Sequence, residues 1–168
     1  MTRIASFAPV IGRNPRILIL GSMPGVASLE AVQYYAHPRN AFWPIMGELF
    51  DFDANTDYPG RIARIAERPL ILWDTLQSCV RPGSLDSAIE RNSVRANDIP
   101  GLLRDHPGIR AIAFNGASSA QYFRRLVLAD LDSASVELLQ LPSTSPANAG
   151  MSYSRKRDAW RQVLEFLD

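Results

Sequence analysis

Cysteine is nearly absent from this chain: Cys79 stands alone in 168 residues. A single thiol cannot close an internal disulfide, complete a four-cysteine zinc site or hold an iron–sulfur cluster. Histidine is almost as scarce, with only His37 and His106. So few histidines argue against a transition-metal centre, and neither stands in a recognisable cysteine-hydrolase context. Cys79 is therefore expected to be a buried structural thiol, and no metal or other cofactor is expected. Lysine is as rare as cysteine. Lys156 is the only one, nearly all positive charge is arginine, and the net charge is only +1. This argues against a wide basic surface; arginine suits bidentate phosphate contacts, although genome-wide base composition also enriches it. No apolar run approaches the roughly 20 residues that cross a bilayer. The opening "MTRIASFAPVIGRNPR" lacks the long apolar core and cleavage site of a secretory signal. The expectation is a cytoplasmic chain with no membrane partner.

What is present reads as one folded domain over residues 1–168. A hydrophobic share of 46% with 21% charged residues is ordinary for a globular protein. Four short, nearly continuous apolar runs, "RILILG" (16–21), "PLILWDT" (69–75), "IRAIAFNG" (109–116) and "VELLQLPS" (136–143), have the pattern of strands buried on both faces. Helical periodicity lies between them. Residues 40–50 put Phe42, Ile45, Met46 and Leu49 on one face, and residues 57–67 open with Asp57 as a cap and Pro59 in the first turn. Residues 117–129 and 154–167 complete the set, the last with Trp160, Val163, Leu164 and Leu167 in a stripe. Strands alternating with helices predict right-handed crossovers and an α/β fold around a four-stranded parallel sheet. Residues 77–100 are expected to lack regular structure and to lie at the strand ends where open α/β sheets build their sites.

All four strand ends carry glycine, proline or small polar residues, so a ligand can approach the backbone closely. "GSMPG" (21–25) is neither the dinucleotide G-x-G-x-x-G nor a P-loop, for which it lacks the lysine. "YYAHPRNAFW" (34–43) gathers aromatics, His37 and Asn40 before a helix. Asn40 has the position of an N-cap, a role compatible with an amide facing a cleft. The proline interrupts the helix and presents Tyr34 and Tyr35 on a loop. "LPSTSPANAG" (141–150) can run along a nucleic-acid backbone using hydroxyls and main-chain N–H groups, or serve as a plain connection. "SRKR" (154–157) is the one basic cluster, read either as a phosphate contact or as a solvated helix start. No paired carboxylates at a useful spacing and no Gly-x-Ser-x-Gly elbow occur.

Taken in order, three of these stretches resemble the uracil-DNA glycosylase superfamily. "ILILGSMPG" is similar to its first motif, and "AHPRNAFW" to the segment that follows in the mismatch-specific enzymes. "LPSTSPAN" is similar to the second, DNA-backbone motif, with "AFNG" on the strand before it. The resemblance spans roughly residues 15–165 and is nearest to the hypoxanthine-DNA (deoxyinosine) glycosylase branch. It implies a three-layer α/β sandwich, and hydrolysis of the N-glycosidic bond of a deaminated base, hypoxanthine foremost, with an abasic site left behind. Uracil or mismatch excision is the alternative within the class, and a catalytically silent nucleic-acid-binding relative the alternative outside it. One departure stands out. Mismatch-specific enzymes carry an asparagine where this chain has Met23, and a thioether orients water poorly. The hypoxanthine branch resembles this chain in lacking that residue and relying on the asparagine of HPRN, which is Asn40 here.

The target base must leave the duplex to be reached, at a cost of a few kcal/mol. Its departing anion then needs hydrogen-bond donors, a held water and exclusion of bulk solvent. The resemblance assigns Asn40 to water positioning and the base pocket to Gly21, Ser22, Met23 and Pro24, with Phe42 stacking on the base and Asn115 at the third strand end. It assigns DNA contacts to Ser143, Ser145, Pro146, Ala147 and Asn148, joined by Arg155 and Lys156 of the basic cluster. The wedge position falls on Ala147 or Asn148, smaller and less apolar than the usual leucine. With no lysine in the site, a monofunctional glycosylase without a lyase step follows, working as a monomer on DNA that contains deaminated bases.

Overall fold

The computed structural model describes residues 2–132 and 136–168. The chain opens with two short strands, β1 (Arg3–Ala5) and β2 (Val10–Ile11), then enters β3 (Ile17–Gly21), which is buried along its whole length. A six-residue helix α1 (Val26–Ala31) follows, then α2 (Phe42–Phe50) and α3 (Tyr58–Ala66). Next come β4 (Leu70–Asp74), β5 (Leu76–Val80), β6 (Arg95–Ala96) and α4 (Ile99–Asp105). The C-terminal third holds β7 (Ala111–Asn115), α5 (Ala117–Leu126), β8 (Glu137–Leu141) and α6 (Tyr153–Trp160), which tightens into 3₁₀ geometry over Arg161–Phe166.

The main sheet has the order β2-β4-β3-β7-β8. Its four long strands are parallel, as their continuous apolar runs predict, and β2 adds an antiparallel edge, so the sheet has five strands where four were expected. Because side chains alternate across a strand, each central strand feeds two cores. Ile17, Ile19, Leu70, Leu72, Ala111 and Ala113 pack with α2, α3 and the C-terminal helix through Phe42, Trp43, Ile45, Ile65, Trp160 and Val163. Leu18, Leu20, Ile71, Ile112 and Phe114 face the other way, onto α4 and α5 through Ile99, Leu102, Ala120 and Phe123. Helices on both faces of a parallel sheet give the three-layer arrangement.

Residues 77–100 are more regular than their composition indicates. β5 pairs antiparallel with β1 and β6 in a second, three-stranded sheet. Beneath it Cys79, fully buried, packs with Met23, Leu76 and Ile89. Burial pushes the Cys79 thiol pKa up, which leaves it unreactive, as a structural thiol should be. The helix starts follow local chemistry. Asp57 Oδ1 accepts from Gly60 N at 3.0 Å with Pro59 in the first turn, and Asp98 Oδ1 repeats the device on Gly101 N with Pro100.

Candidate active site

The parallel strands β3, β4, β7 and β8 end on one side of the sheet, and β3 lies where the strand order reverses. Open α/β sheets place ligands in that crevice, outside the carboxyl ends of the strands. Here it holds a cavity of about 160 Å³, similar in size to the ~150 Å³ apolar cavities that accept a benzene ring. Its walls come from the three segments singled out in the sequence. Gly21 to Ser28 form one side, the Tyr34 to Asn40 segment another, and Ser143 to Pro146 a third, with Asp74 and Asn115 at the strand ends.

The "YYAHPRNAFW" segment divides its aromatics between anchoring and lining. Tyr34 is buried, and its hydroxyl donates to the carbonyl of Ala8 at 2.9 Å. Trp43 Nε1 donates to the carbonyl of Tyr34 at 2.9 Å, and Tyr34 N donates to the Tyr58 hydroxyl at 3.0 Å. These bonds pin the backbone of a loop that must then turn sharply. Tyr35 takes a φ of 55°, a left-handed conformation that costs a tyrosine energy and that packing must hold. In return its ring faces the cavity. Phe42 lies behind it, with ring centroids 3.9 Å apart and planes 26° from parallel.

Phe42 is therefore not where the resemblance puts it. Its exposure is 0% and it does not line the cavity. Being the first residue of α2 turns its ring into the core, where it also meets Trp43 and Trp160 edge-on. The aromatic rings in the cavity wall include Tyr34 and Tyr35, and sequence reasoning assigned neither to the base pocket.

Asn40 is not the N-cap of α2 but stands one residue before it, with its side chain at both the helix start and the cavity. Oδ1 accepts from Phe42 N at 2.9 Å, a capping contact at the start of α2, although Ala41 stands at the N-cap position itself. Among the described residues Nδ2 has no partner, and the side chain lines the cavity. Asn40 N also donates to the carbonyl of His37 at 2.9 Å, closing the turn around Pro38. Next to it, Ala41 N donates to the carbonyl of Thr144 at 2.9 Å, which ties this helix start to the third wall.

Asn115 is the other tie. Its Nδ2 donates to Thr144 Oγ1 and its Oδ1 accepts from Thr144 N, both at 2.9 Å. This two-way bond locks the 142–146 loop to the end of β7. Ser143 Oγ and Ser145 Oγ accept from Ser145 N and Ala147 N, each at 3.2 Å. Used as acceptors in this way, both hydroxyls keep their protons for an outside acceptor. Pro146 lines the cavity mouth and Ala147 is exposed, while Asn148 Nδ2 turns back onto the carbonyl of Ser143 at 3.1 Å. Asn148 is thus part of the loop's own bracing and does not project as a wedge.

The basic cluster separates into unlike members. Arg155 is exposed, with its backbone N bonded to the capping Ser152 Oγ. Lys156 is only 6% exposed, and its Nζ points at the carbonyl of Ser145 at 3.4 Å. Burial lowers its pKa. Its place on α6 turns it under the loop, where it braces the chain and is closed to an incoming phosphate.

At the first-motif loop, Ser22 Oγ donates to Asp86 Oδ2 at 2.7 Å, and no acceptor within the described protein is found for the N–H groups of Ser22 or Met23. Met23 divides itself between the cavity wall and the core of the small sheet. Arg81, itself buried, donates to the carbonyls of Gly83 and Pro24, each at 2.7 Å, and so holds the two loops together.

The residue that sequence reasoning missed is Asp74. It ends β4, it is only 4% exposed, and it lines the cavity. Its Oδ2 is buried without a hydrogen-bond partner among the described residues. Its pKa is raised to about 7, mainly by burial and also by the nearby Asp86, with Arg81 opposing. A β-carbon on Gly21 would stand 2.5 Å from Asp74 Oδ1 and 3.2 Å from the Tyr35 hydroxyl. The glycine is what lets the acid and the ring meet at this strand end. The signal was in the sequence: an acid closing a run of four apolar residues, "LILWD".

The Uracil DNA glycosylase superfamily model matches residues 8–167. Hypoxanthine DNA glycosylases of Methanosarcina barkeri and Methanosarcina acetivorans are each 33% identical to this chain, covering 95% and 94% of it and 96% of their own lengths. A solution NMR structure from Methanosarcina acetivorans, of a protein provisionally named uracil DNA glycosylase, superposes with a TM-score of 0.76 at 30% identity. That match covers 97% of this chain and 99% of the other.

Proposed function

Since the chain belongs to the uracil DNA glycosylase superfamily, we propose that it hydrolyses the N-glycosidic bond of a deaminated base flipped out of DNA, hypoxanthine foremost, and leaves an abasic site. One observation carries this reading. A cavity the size of an aromatic ring joins an aromatic wall, Tyr35, to an asparagine with an uncommitted Nδ2, beside a loop of free serine hydroxyls.

The geometry supports the following proposed roles. Asn40 holds the attacking water through Nδ2; a water that accepts one hydrogen bond keeps a second lone pair for C1′ of the sugar. The free N–H groups of Ser22 and Met23 donate to the base, whose charge grows as the bond breaks. Tyr35, backed by Phe42, offers the flat face against which the base rests. Ser143 and Ser145 give their protons to phosphate oxygens and set the register of the strand. Asn115 and Lys156 act through the loop that they fasten. No side chain in the cavity is an amine, so the proposed reaction stops at the abasic site.

The experiment uses duplexes carrying a single hypoxanthine, uracil or xanthine, followed by alkali to cut at abasic sites. Strand cleavage greatest for hypoxanthine, and only after alkali, is the expected result. Preferential excision of uracil would move the protein to the mismatch-type reading. Binding without excision of any of the three would make it a silent relative.

A further inference from the structure

We infer that Leu85 is the side chain that enters the DNA base stack and fills the gap left by the flipped nucleotide, from a loop other than the second-motif loop that carries this task in the superfamily. This rests on the proposal that the cavity receives a base from DNA.

A flipped base leaves a gap in the duplex, and the neighbouring base pairs close that gap unless something occupies it. Proteins that disturb the stack insert a large apolar side chain between base steps. The second-motif loop of this chain has none to offer. Ala147 is exposed but ends in a single methyl group, and Asn148 is turned back onto the carbonyl of Ser143. Large apolar side chains left in water are few among the described residues, and only two of them stand at the cavity. Val26, 40% exposed, lines it. Leu85, 57% exposed, lies between two residues that line it, Ser84 and Asp86. Of the pair, leucine is the longer and the more exposed, and Val26 is part of the wall itself.

A side chain can hold a stack open only if the loop beneath it does not yield. This loop is tied down on both sides of Leu85. Before it, Arg81 is buried and donates through Nε to the carbonyl of Gly83 and through Nη2 to that of Pro24, each at 2.7 Å. Gly83 turns the chain with a φ of 69°, a conformation that favours glycine. Ser84 Oγ then accepts from Val26 N at 2.9 Å. After it, Asp86 Oδ2 accepts from Ser22 Oγ at 2.7 Å, and the carbonyl of Leu85 accepts from Ala88 N at 3.0 Å, closing the 3₁₀ turn Asp86–Ala88. The backbone is thus fastened to the first-motif loop, while the leucine side chain stands in solvent. Its exposure contributes little to the fold and suits a partner that arrives from outside. Phosphate contact and stack filling then come from different elements: Ser143 and Ser145 follow β8, and Leu85 belongs to the segment after β5.

The test is single-turnover excision of hypoxanthine from a duplex and from the same strand alone, by the wild type, Leu85→Ala and Leu85→Met, with thermal melting measured alongside. A 2-aminopurine placed beside the hypoxanthine reports unstacking by its fluorescence. Leu85→Ala should melt like the wild type and excise from the single strand at the wild-type rate. On the duplex it should lose on the order of 10-fold or more, with a weaker fluorescence rise, because the cost of extruding the base arises only there. Leu85→Met keeps length and apolar character and should recover most of the duplex rate. A Leu85→Ala that excises from the duplex like the wild type, a loss equal on the two substrates, or a Leu85→Met no better than Leu85→Ala would each overturn the inference. So would a wild type active on the single strand alone. All four leave the glycosylase reading standing, whereas a wild type that excises no deaminated base from either substrate would remove both.

Discussion

At the scale of single residues, the cavity works by dividing the polar atoms of one side chain between structure and chemistry. Asn40 spends Oδ1 on the start of α2 and keeps Nδ2 for the cavity. Asn40→Ala should lose about 1 kcal/mol of stability with the capping contact. It should also lose on the order of 10²-fold in single-turnover excision with the held water. Asn40→Asp separates the two, since aspartate caps equally well but presents a charge to the departing anion: it should melt like the wild type and excise poorly. An Asn40→Ala protein that is folded and fully active would send the assignment to His37, which also lines the cavity. Phe42 behaves differently. As a fully buried ring, its replacement by alanine should cost about 3–5 kcal/mol, read as an early denaturant midpoint. Its side chain at the first residue of a helix could face either way as far as the sequence shows; only the position of Tyr35 in front of it settles the matter.

Asp74 adds a stability prediction of its own. Its pKa is about 7 in the folded chain against an ordinary 3.8. Between those values the folded chain holds a proton that the unfolded chain has released, so stability falls as pH rises through this window and is lowest above it. Asp74→Asn cannot ionise. Its stability should change less from about pH 4 to pH 8, and above neutrality it should exceed that of the wild type by an amount on the order of a few kcal/mol. Chemical denaturation at two pH values measures this. Equal pH dependence in the two proteins would mean that Asp74 is ionised in the folded chain.

At the scale of elements, the site depends on fastening the 142–146 loop. Four groups from other elements hold it: Asn115 from the end of β7, the N–H of Ala41 from the start of α2, and Trp160 Nε1 and Lys156 from α6. Lys156→Ala should therefore act on positioning. Excision should fall by on the order of 10-fold or more, while the salt dependence of binding stays as it was, because a buried ammonium releases no counterion from DNA. Most of the elements that sequence patterns found are those whose burial is uniform. Three of the five strands of the main sheet, β3, β4 and β7, bury both faces, or close to it, and their apolar runs show this directly. The run of β8 has the same pattern, but the strand lies at the sheet edge and is largely exposed, so the expected burial of both its faces is not met. The elements they missed are short or unevenly buried. β1 and β2 have three and two residues, α1 has six, and β5 carries Gln77, Ser78 and Cys79 in the middle of its run. Partnership with β1, 75 or so positions away in sequence, makes β5 a strand, and local composition carries no trace of that pairing.

At the scale of the whole molecule, the strand order brings together three loops that the sequence shows as unrelated. The motif stretches could be read as site segments from their glycines, prolines and serines, yet their convergence on one cavity comes from β3 lying between β4 and β7. Charge also belongs to this scale. A net charge of +1 argues against a wide basic surface, so binding to DNA is expected to rest on a modest number of phosphate contacts. The linear fall of log affinity with log salt counts those contacts, at about 0.9 per neutralised phosphate on duplex DNA. Arg155 is the exposed member of the one basic cluster and stands in the first turn of α6. Arg155→Ala should weaken binding to duplexes of any sequence alike, leave excision at saturating enzyme unchanged, and flatten the salt slope by about 0.9. Lys156→Ala gives the opposite signature, a slower reaction with an unaltered slope, so the pair distinguishes a phosphate contact from a loop brace within a single turn of helix. If the two variants exchange these signatures, the burial of Lys156 does not persist on DNA, and the loop must open when the duplex binds.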